Sequence, residues 1–496
     1  MADGGEKPAP GLAVIGAEYR ALDKIPPHAR VFGFWDQFAL WFAAASLPAA
    51  WYYGALMAGW QGLRGALVLI FIVNTLAFVP WALLGAIAAE SGAASMALVR
   101  PTFGLRGSVV PSFFYLIFGF GWGAVNVFLG AIAMSFIFKI WFGWPAFLDA
   151  GYQPYMITSI LAMCVLQALF AVAGHRFIRW MEWVATAGLI VLGAYQTYLV
   201  LTTWGVEPLF QWRPAVGGLK VPIGPFTYTI TFALLIDLLI AYNWTWEFIG
   251  DFSRFARSKA AGSWGPFAGA NLAQYWWFMV GALGVAYLAI TTGQFTPQAA
   301  DPSSTTARLG FGWIAAVVII AATVATNAGN IYASALGISN MLPRLRAPIR
   351  ALLALVAAGI VPLTLIPLLS PAFVGFYIFW LDFLGAIVVP LWTLVLVDRY
   401  LIKRRGYTDD LFRPEGGLYW YDRGWNWPAI ISLVLGTVVY WVIGFGFPAL
   451  RERYTAALPV IVVVGVLYYL WGGAAWRHSQ QLQAQPAARG GSPAPR

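Results

Sequence analysis

Apolar runs alternate with short polar stretches along almost the whole chain. Each run is about 20 residues long, enough for a helix rising about 1.5 Å per residue to cross roughly 30 Å of hydrocarbon. The pattern predicts twelve membrane-spanning helices. The first six cover Phe34–Met57, Ala66–Ala89, Val109–Phe138, Met156–Ala173, Ile178–Thr203 and Phe226–Ile249. The other six cover Phe267–Thr291, Phe311–Ser339, Ala351–Leu369, Ala372–Ile402, Pro428–Phe447 and Leu458–Trp476.

Polar residues inside such runs are expensive and tend to mark cavities. In the eighth run, "ATVATNAGN" sets Thr323, Thr326, Asn327 and Asn330 at i, i+3, i+4 and i+7, one stripe on one helical face. The stripe lines a polar space or bonds a neighbouring helix. In the sixth, "DLLIAYNWTWEF" (Asp237 to Phe248) carries polar groups all round the axis from Tyr242 to Glu247, so this helix is enclosed on every side or locally broken. In the first, "FAAASLPAA" puts Pro48 inside the span, where a kink is the commoner outcome and a break the alternative. Interruptions at corresponding places in two halves point to a carrier site built on inverted repeats. The third run holds "GFGWGAVN", whose Trp122 and Asn126 share a face at i, i+4. Gly119 and Gly123 there suit close helix packing. Asp237, Glu247 and Asp382 are carboxylates within spans, either proton carriers or partners in ion pairs between helices.

Composition makes the membrane reading firm: of 496 residues, 60% are hydrophobic and only 10% charged. Cytoplasmic loops keep an excess of Lys and Arg. With the N-terminus inside, one side gathers Arg254, Arg257 and Lys259, Arg344, Arg346 and Arg350, and Lys403, Arg404 and Arg405. The other side is left with Arg64, Lys139, Arg213, Lys220, Arg308, Arg451 and Arg453 out of 30 basic residues. Both termini are expected to be cytoplasmic in a multi-pass cell-membrane (inner or plasma membrane) protein. The net charge of +10 then reflects topology and contact with membrane lipids, not nucleic-acid binding. The first 30 residues show no cleavable leader and the tail reads as disordered. The single cysteine, Cys164, is a packing residue, and His28, His175 and His478 are too scattered for a metal site. The only adjacent carboxylate pair, Asp409 and Asp410, sits in a basic loop as a solvated turn, which argues against a membrane enzyme handling a lipid or prenyl diphosphate.

Five stretches together resemble the nucleobase:cation symporter-1 family, which holds cytosine/purine permeases and hydantoin transporters. They are "RPTFGLRGSVVPS" (Arg100 to Ser112), "GDFSRFARS" (Gly250 to Ser258), "TNAGNIYAS" (Thr326 to Ser334), "VDRYLIKRR" (Val397 to Arg405) and "LYWYDRGWNWPA" (Leu418 to Ala429). The resemblance implies a five-plus-five inverted-repeat core with broken first and sixth helices, plus two C-terminal helices. The expected division is residues 1–30 as an N-terminal segment, 31–203 and 204–402 as the two repeats, 403–476 as a loop with the last two helices, and 477–496 as the tail.

The resemblance also implies a site. Trp122 and a sixth-helix aromatic sandwich a planar ring, and amides at Asn126 and Asn330 read its edge. Counting back from Asp251 places Tyr242 at the sixth-helix position, with Asn243 and Trp244 as alternative registers. Leu47 stands where the hydantoin carrier has an amide. A sodium site is implied at the carbonyls of Ala43, Ser46 and Ala322 with side chains at 325 and 326. Thr326 supplies a hydroxyl and Ala325 cannot, so a hard cation loses an oxygen ligand. The expected function is symport of a nucleobase or similar planar N-heterocycle with Na+ or H+, without a cofactor. A membrane-embedded enzyme and an amino-acid carrier of the same fold are the alternatives; oligomeric state is not read from the sequence.

Overall fold

The computed structural model describes residues 23–173, 175–214, 220–223, 226–246, 248–342, 349–369 and 373–488. Glu247, Arg344 and Arg346, the first 22 residues and the last eight therefore lie outside the described residues. Among those described, 11 helices are long and apolar enough to cross a membrane. The first of these, Pro48–Ser91, contains both the second half of the first expected span and all of the second. Its continuity is interrupted at Gly62, whose φ of 70° and ψ of 172° take the chain out of helical geometry.

The first span is broken at Pro48 instead of kinked. Helix α1 (Phe34–Ala45) ends, Leu47 is extended at φ −141° and ψ 151°, and α2 (Pro48–Leu67) begins with the proline in its first turn. A proline there loses no hydrogen bond, since the first amides of a helix have no intrahelical partner. Single-turn π geometry over Val68–Val73 leads into α3 (Asn74–Ser91). Then follow α4 (Val109–Phe142), α5 (Gln153–Ala173) and α6 (His175–Trp204).

The sixth span starts later than expected. Lys220–Ile223 (β1) and Phe226–Thr229 (β2) pair antiparallel, with Lys220 opposite Thr229. Tyr228 is buried while Thr227 and Thr229 are exposed, the two-residue period of a strand, which the apolar count alone had absorbed into a helix. Helix α7 (Phe232–Trp244) is enclosed over nearly its whole length, stops, and resumes as the short α8 (Ile249–Ser253). A broken helix in hydrocarbon needs partners for its freed carbonyls. Here indoles supply them: Trp392 Nε1 donates to Trp244 O at 3.0 Å, and Trp81 Nε1 to Trp246 O at 2.8 Å. Thr245 Oγ1 donates to Tyr242 O at 3.0 Å.

The remaining helices are α9 (Lys259–Thr292), α10 (Pro302–Arg308), α11 (Gly312–Met341), α12 (Ile349–Leu369) and α13 (Phe373–Val397). After a loop come α14 (Trp427–Trp441), α15 (Pro448–Tyr454) and α16 (Ala457–Ala488). The most extensive helix pair is α4 with α11, while α9 lies along α1, α2 and α3. At the α2–α9 crossing two glycines let the backbones touch. A Cβ on Gly54 would overlap the Phe278 backbone, and one on Gly281 the Trp51 carbonyl.

Buried charge fastens the last two spans to the rest. Arg451 on α15 bonds Asp237 of α7 through Nε at 3.0 Å and Asp382 of α13 through its terminal nitrogens at 2.5 and 3.2 Å. Asp237 also accepts the backbone N–H groups of Ala456 and Ala457 at the start of α16, where a carboxylate favours the helix dipole. In the loop after α13, Lys403 pairs with Asp398 and donates to Pro101 O, under the rings of Tyr419, Tyr421 and Trp476.

Candidate substrate site

The break after α7 faces the middle of α4, and this juxtaposition assembles the site. Trp122 meets Tyr242 edge to face, ring centroids 5.3 Å apart at 87°. The indole is held from the break itself, its Nε1 donating to Thr245 Oγ1 at 3.1 Å. The other face of Tyr242 stacks on Tyr53 of α2 at 5.7 Å and 8°. Both aromatic residues singled out from the sequence are thus neighbours, and of the three sixth-helix residues Tyr242 is the one in ring contact with Trp122. Asn243 points away, donating to Asn74 Oδ1 at 2.9 Å, and Trp244 donates to Ala77 O at 2.8 Å, both on α3.

One turn along α4, Asn126 enters a cluster of amides. Its Nδ2 donates to Asn327 Oδ1 at 3.3 Å, as does Asn330 Nδ2 at 3.1 Å. Asn327 Nδ2 donates to Gln167 Oε1 on α5 at 2.6 Å and to Gly123 O at 3.0 Å. The hub of this network is Asn327, with Gln167 its fourth member. Sequence reasoning placed Asn327 only in a stripe and passed over Gln167. The available signal was the amide of Gln167 in the otherwise apolar stretch from Ile160 to Ala173, costly in hydrocarbon unless bonded. Thr245 was also missed, because its role depends on where the helix breaks.

Among the described residues, several polar atoms in and beside this network are enclosed without a partner: Asn126 Oδ1, Gln167 Nε2, the Tyr242 hydroxyl and Trp380 Nε1. Leaving such groups unmatched costs about 1–3 kcal/mol each. An acceptor, an amide donor and a hydroxyl beside two aromatic rings match the edge and face of a small polar heterocycle. The glycines around the indole allow neighbouring helices to pack closely. A Cβ on Gly119 would overlap Ser334 of α11, on Gly121 the ring of Trp380, and on Gly123 the side chain of Ile360.

The expected cation ligands are less convergent. Ser46 N donates to Ala43 O at 3.1 Å and Ser46 Oγ to Phe42 O at 2.8 Å, so the turn ending α1 uses its own carbonyls. Ala322 and Ala325 are buried on α11, Thr326 is half-buried, and Thr323 Oγ1 bonds back to Ile320 O at 2.9 Å. Leu47 is buried at the first break. Asp237 and Asp382 lie outside this cluster, in the Arg451 ion pairs, and Glu247 falls outside the described residues.

Aromatic layers cover the site from both directions. On one side Trp41 of α1 stacks on Phe248 at 5.3 Å and on Trp246 at 5.9 Å, and Gln37 Nε2 donates to Phe252 O. On the other, Tyr377 of α13 donates to Ala49 O, and Phe373 stacks on Phe128 at 4.5 Å. A many-spanning helical bundle with two broken helices meeting at an enclosed aromatic and amide centre is a membrane carrier. More particularly, the chain belongs to the family of permeases for cytosine/purines, uracil, thiamine and allantoin, whose model matches residues 24–477. It is 23% identical over 433 residues to the allantoin permease of Bacillus subtilis (strain 168), covering 83% of each chain. Its fold is that of Mhp1. The inward-facing conformation gives a TM-score of 0.73 at 20% identity, covering 92% of this chain and 93% of the other. The closed conformation of this nucleobase-cation-symport-1 family transporter, with bromovinylhydantoin bound, gives 0.70 at 19% identity, covering 93% and 99%.

Proposed function

We propose that this permease binds a nucleobase or similarly planar N-heterocycle between Trp122 and Tyr242 and carries it across the cell membrane, coupled to a cation, with both termini in the cytoplasm. The observation that carries the reading is the pairing of the two rings beside unmatched amide atoms at Asn126 and Gln167. An aromatic face offers stacking to any planar ring, and the amides supply direction. To be sandwiched, the ring must part Trp122 from its edge-to-face contact with Tyr242, so binding and a local opening of the site go together.

The cation is proposed to be a proton. The position-325 side chain of the expected sodium site is a methyl group, and Thr323 is turned to its own helix. The test is thermal stabilisation of the purified protein by a panel of cytosine, uracil, purines, hydantoins, allantoin, thiamine and pyridoxine-like compounds, with and without Na+. A ligand that binds only the folded state raises its apparent stability, by about 2.7 kcal/mol at a hundred times its Kd. No stabilisation by any planar heterocycle, or stabilisation that survives in Trp122→Ala with Tyr242→Ala, refutes the reading.

A further inference from the structure

The segment between α9 and α11 encloses a carboxyl that the carrier site does not use. Asp301 caps α10 and is 1% exposed, and Ser303, Ser304, Thr305 and Thr306 are buried with it. Its Oδ1 accepts the Ser304 backbone N–H at 2.9 Å. Among the described residues its Oδ2 is enclosed without a partner, as are the hydroxyls of Ser303 and Thr305. Tyr52 of α2, its phenol also enclosed and unpartnered, lies within electrostatic reach of Asp301.

The segment touches helices of both repeats. α10 meets α2, α4, α9 and α11, and the turn at Pro297–Ala299 reaches α13. Few charges on these elements could compensate Asp301. α2 carries Arg64; Lys139 on α4 is paired with Asp149; Lys259 on α9 is paired with Glu90; Asp382 on α13 is paired with Arg451; Arg308 on α10 is exposed. α11 carries no charged residue, and the remaining titratable groups are the tyrosines Tyr53, Tyr115, Tyr275, Tyr287, Tyr332 and Tyr377. No ion pair to Asp301 exists among the described residues.

An ionised carboxylate in this place is a desolvated charge with one oxygen unmatched among the described residues, whereas a protonated one is neutral and avoids the cost of burying that charge. We propose that Asp301 is a proton-binding site, and that a proton on Oδ2 holds residues 297–308 in their seated position over the helices of both repeats. The inference concerns the seating of this segment and does not depend on which heterocycle is carried.

Burial pushes the Asp301 carboxyl up to about 6 from the ordinary 3.8, against the bonds it receives from Ser304 and Ser303. A raised carboxyl favours the seated form at low pH, and that advantage disappears as pH climbs through the raised value. If the carboxyl returns to 3.8 when the segment lifts, the seated-to-lifted ratio falls about tenfold between pH 5 and pH 7.5.

The test uses full-length purified protein carrying Cys164→Ala and Ala299→Cys, labelled with a neutral maleimide at pH 5 and pH 7.5. Each rate is divided by that of the same protein with Asp301→Asn, which cancels the pH dependence of the thiol. The quotient is expected to rise about tenfold from pH 5 to pH 7.5. A quotient unchanged between the two pH values overturns the proposal. Should the Asn variant fail to fold, hydrogen exchange of residues 297–308 in the unaltered protein decides. After division by intrinsic rates it should quicken about tenfold over the same interval, and no acceleration overturns the proposal.

Discussion

Replacing Arg451 with methionine tests whether the last two spans are fastened to the carrier core by charge. The guanidinium makes three bonds to two carboxylates, at 3.0, 3.2 and 2.5 Å, and the side chains of Asp237 and Asp382 are fully enclosed. Methionine fills much of the volume but strands both acids, and removing one partner of a buried ion pair costs about 3–5 kcal/mol. The stranded acids do not share the cost evenly. Asp237 keeps the N–H groups of Ala456 and Ala457, while Asp382 keeps the Tyr440 hydroxyl at 3.0 Å and no backbone N–H. Asp382→Asn should therefore restore more stability to the methionine variant than Asp237→Asn does. In the otherwise unaltered protein, Asp382→Asn leaves one carboxylate with one guanidinium and should cost less than Arg451→Met. Unfolding of the purified variants in one detergent, followed by tryptophan fluorescence, measures all four. An Arg451→Met protein as stable as its parent refutes the reasoning. So does a further loss when Asp382→Asn is added to it.

Trp122→Phe should keep most of the affinity for the carried ring and Trp122→Ala should lose about 1–3 kcal/mol, by analogy with base stacking. Asn126→Ala should weaken preferred ligands selectively. Equal affinity in alanine variants of unchanged stability would remove the site. Gly281→Ala should destabilise by about 1–3 kcal/mol, because its Cβ overlaps the Trp51 carbonyl. Gly329→Ala, with nothing near its Cβ, should be neutral or mildly stabilising in the same unfolding measurement. Uptake should persist when Na+ is replaced by choline and collapse with a protonophore; strict Na+ dependence abolished by Thr326→Ala would overturn proton coupling. Cysteines at the exposed positions Arg257 and Arg404 should resist an impermeant thiol reagent in intact cells while one at Gln294 reacts, and the reverse pattern would invert the topology.

Hydrophobic length and the i, i+4 and i, i+7 spacings are local properties, so the sequence alone determined the membrane class, the approximate spans and the shared face of Trp122 and Asn126. The polar crowding of Asp237 to Glu247 and the proline at position 48 likewise marked where two helices would be interrupted. What could not be read locally was decided by partners far away in the chain. Whether Pro48 kinks or breaks its span depends on how the freed backbone is satisfied, and for α7 that falls to the indoles of Trp81 and Trp392, more than a hundred residues away on either side. The same holds for register. Tyr242, Asn243 and Trp244 are equivalent until α3 claims the last two and α4 meets the first. Asp237 and Asp382 could be read as ion-pair partners from the sequence, but the partner itself, Arg451, lies 214 and 69 residues along the chain and is visible only in three dimensions. Asn327 became the centre of the amide network only because α4, α5 and α11 converge there. A single sequence fixes what each helix can offer, but burying a polar group requires its match, and only the tertiary structure determines which segment supplies it.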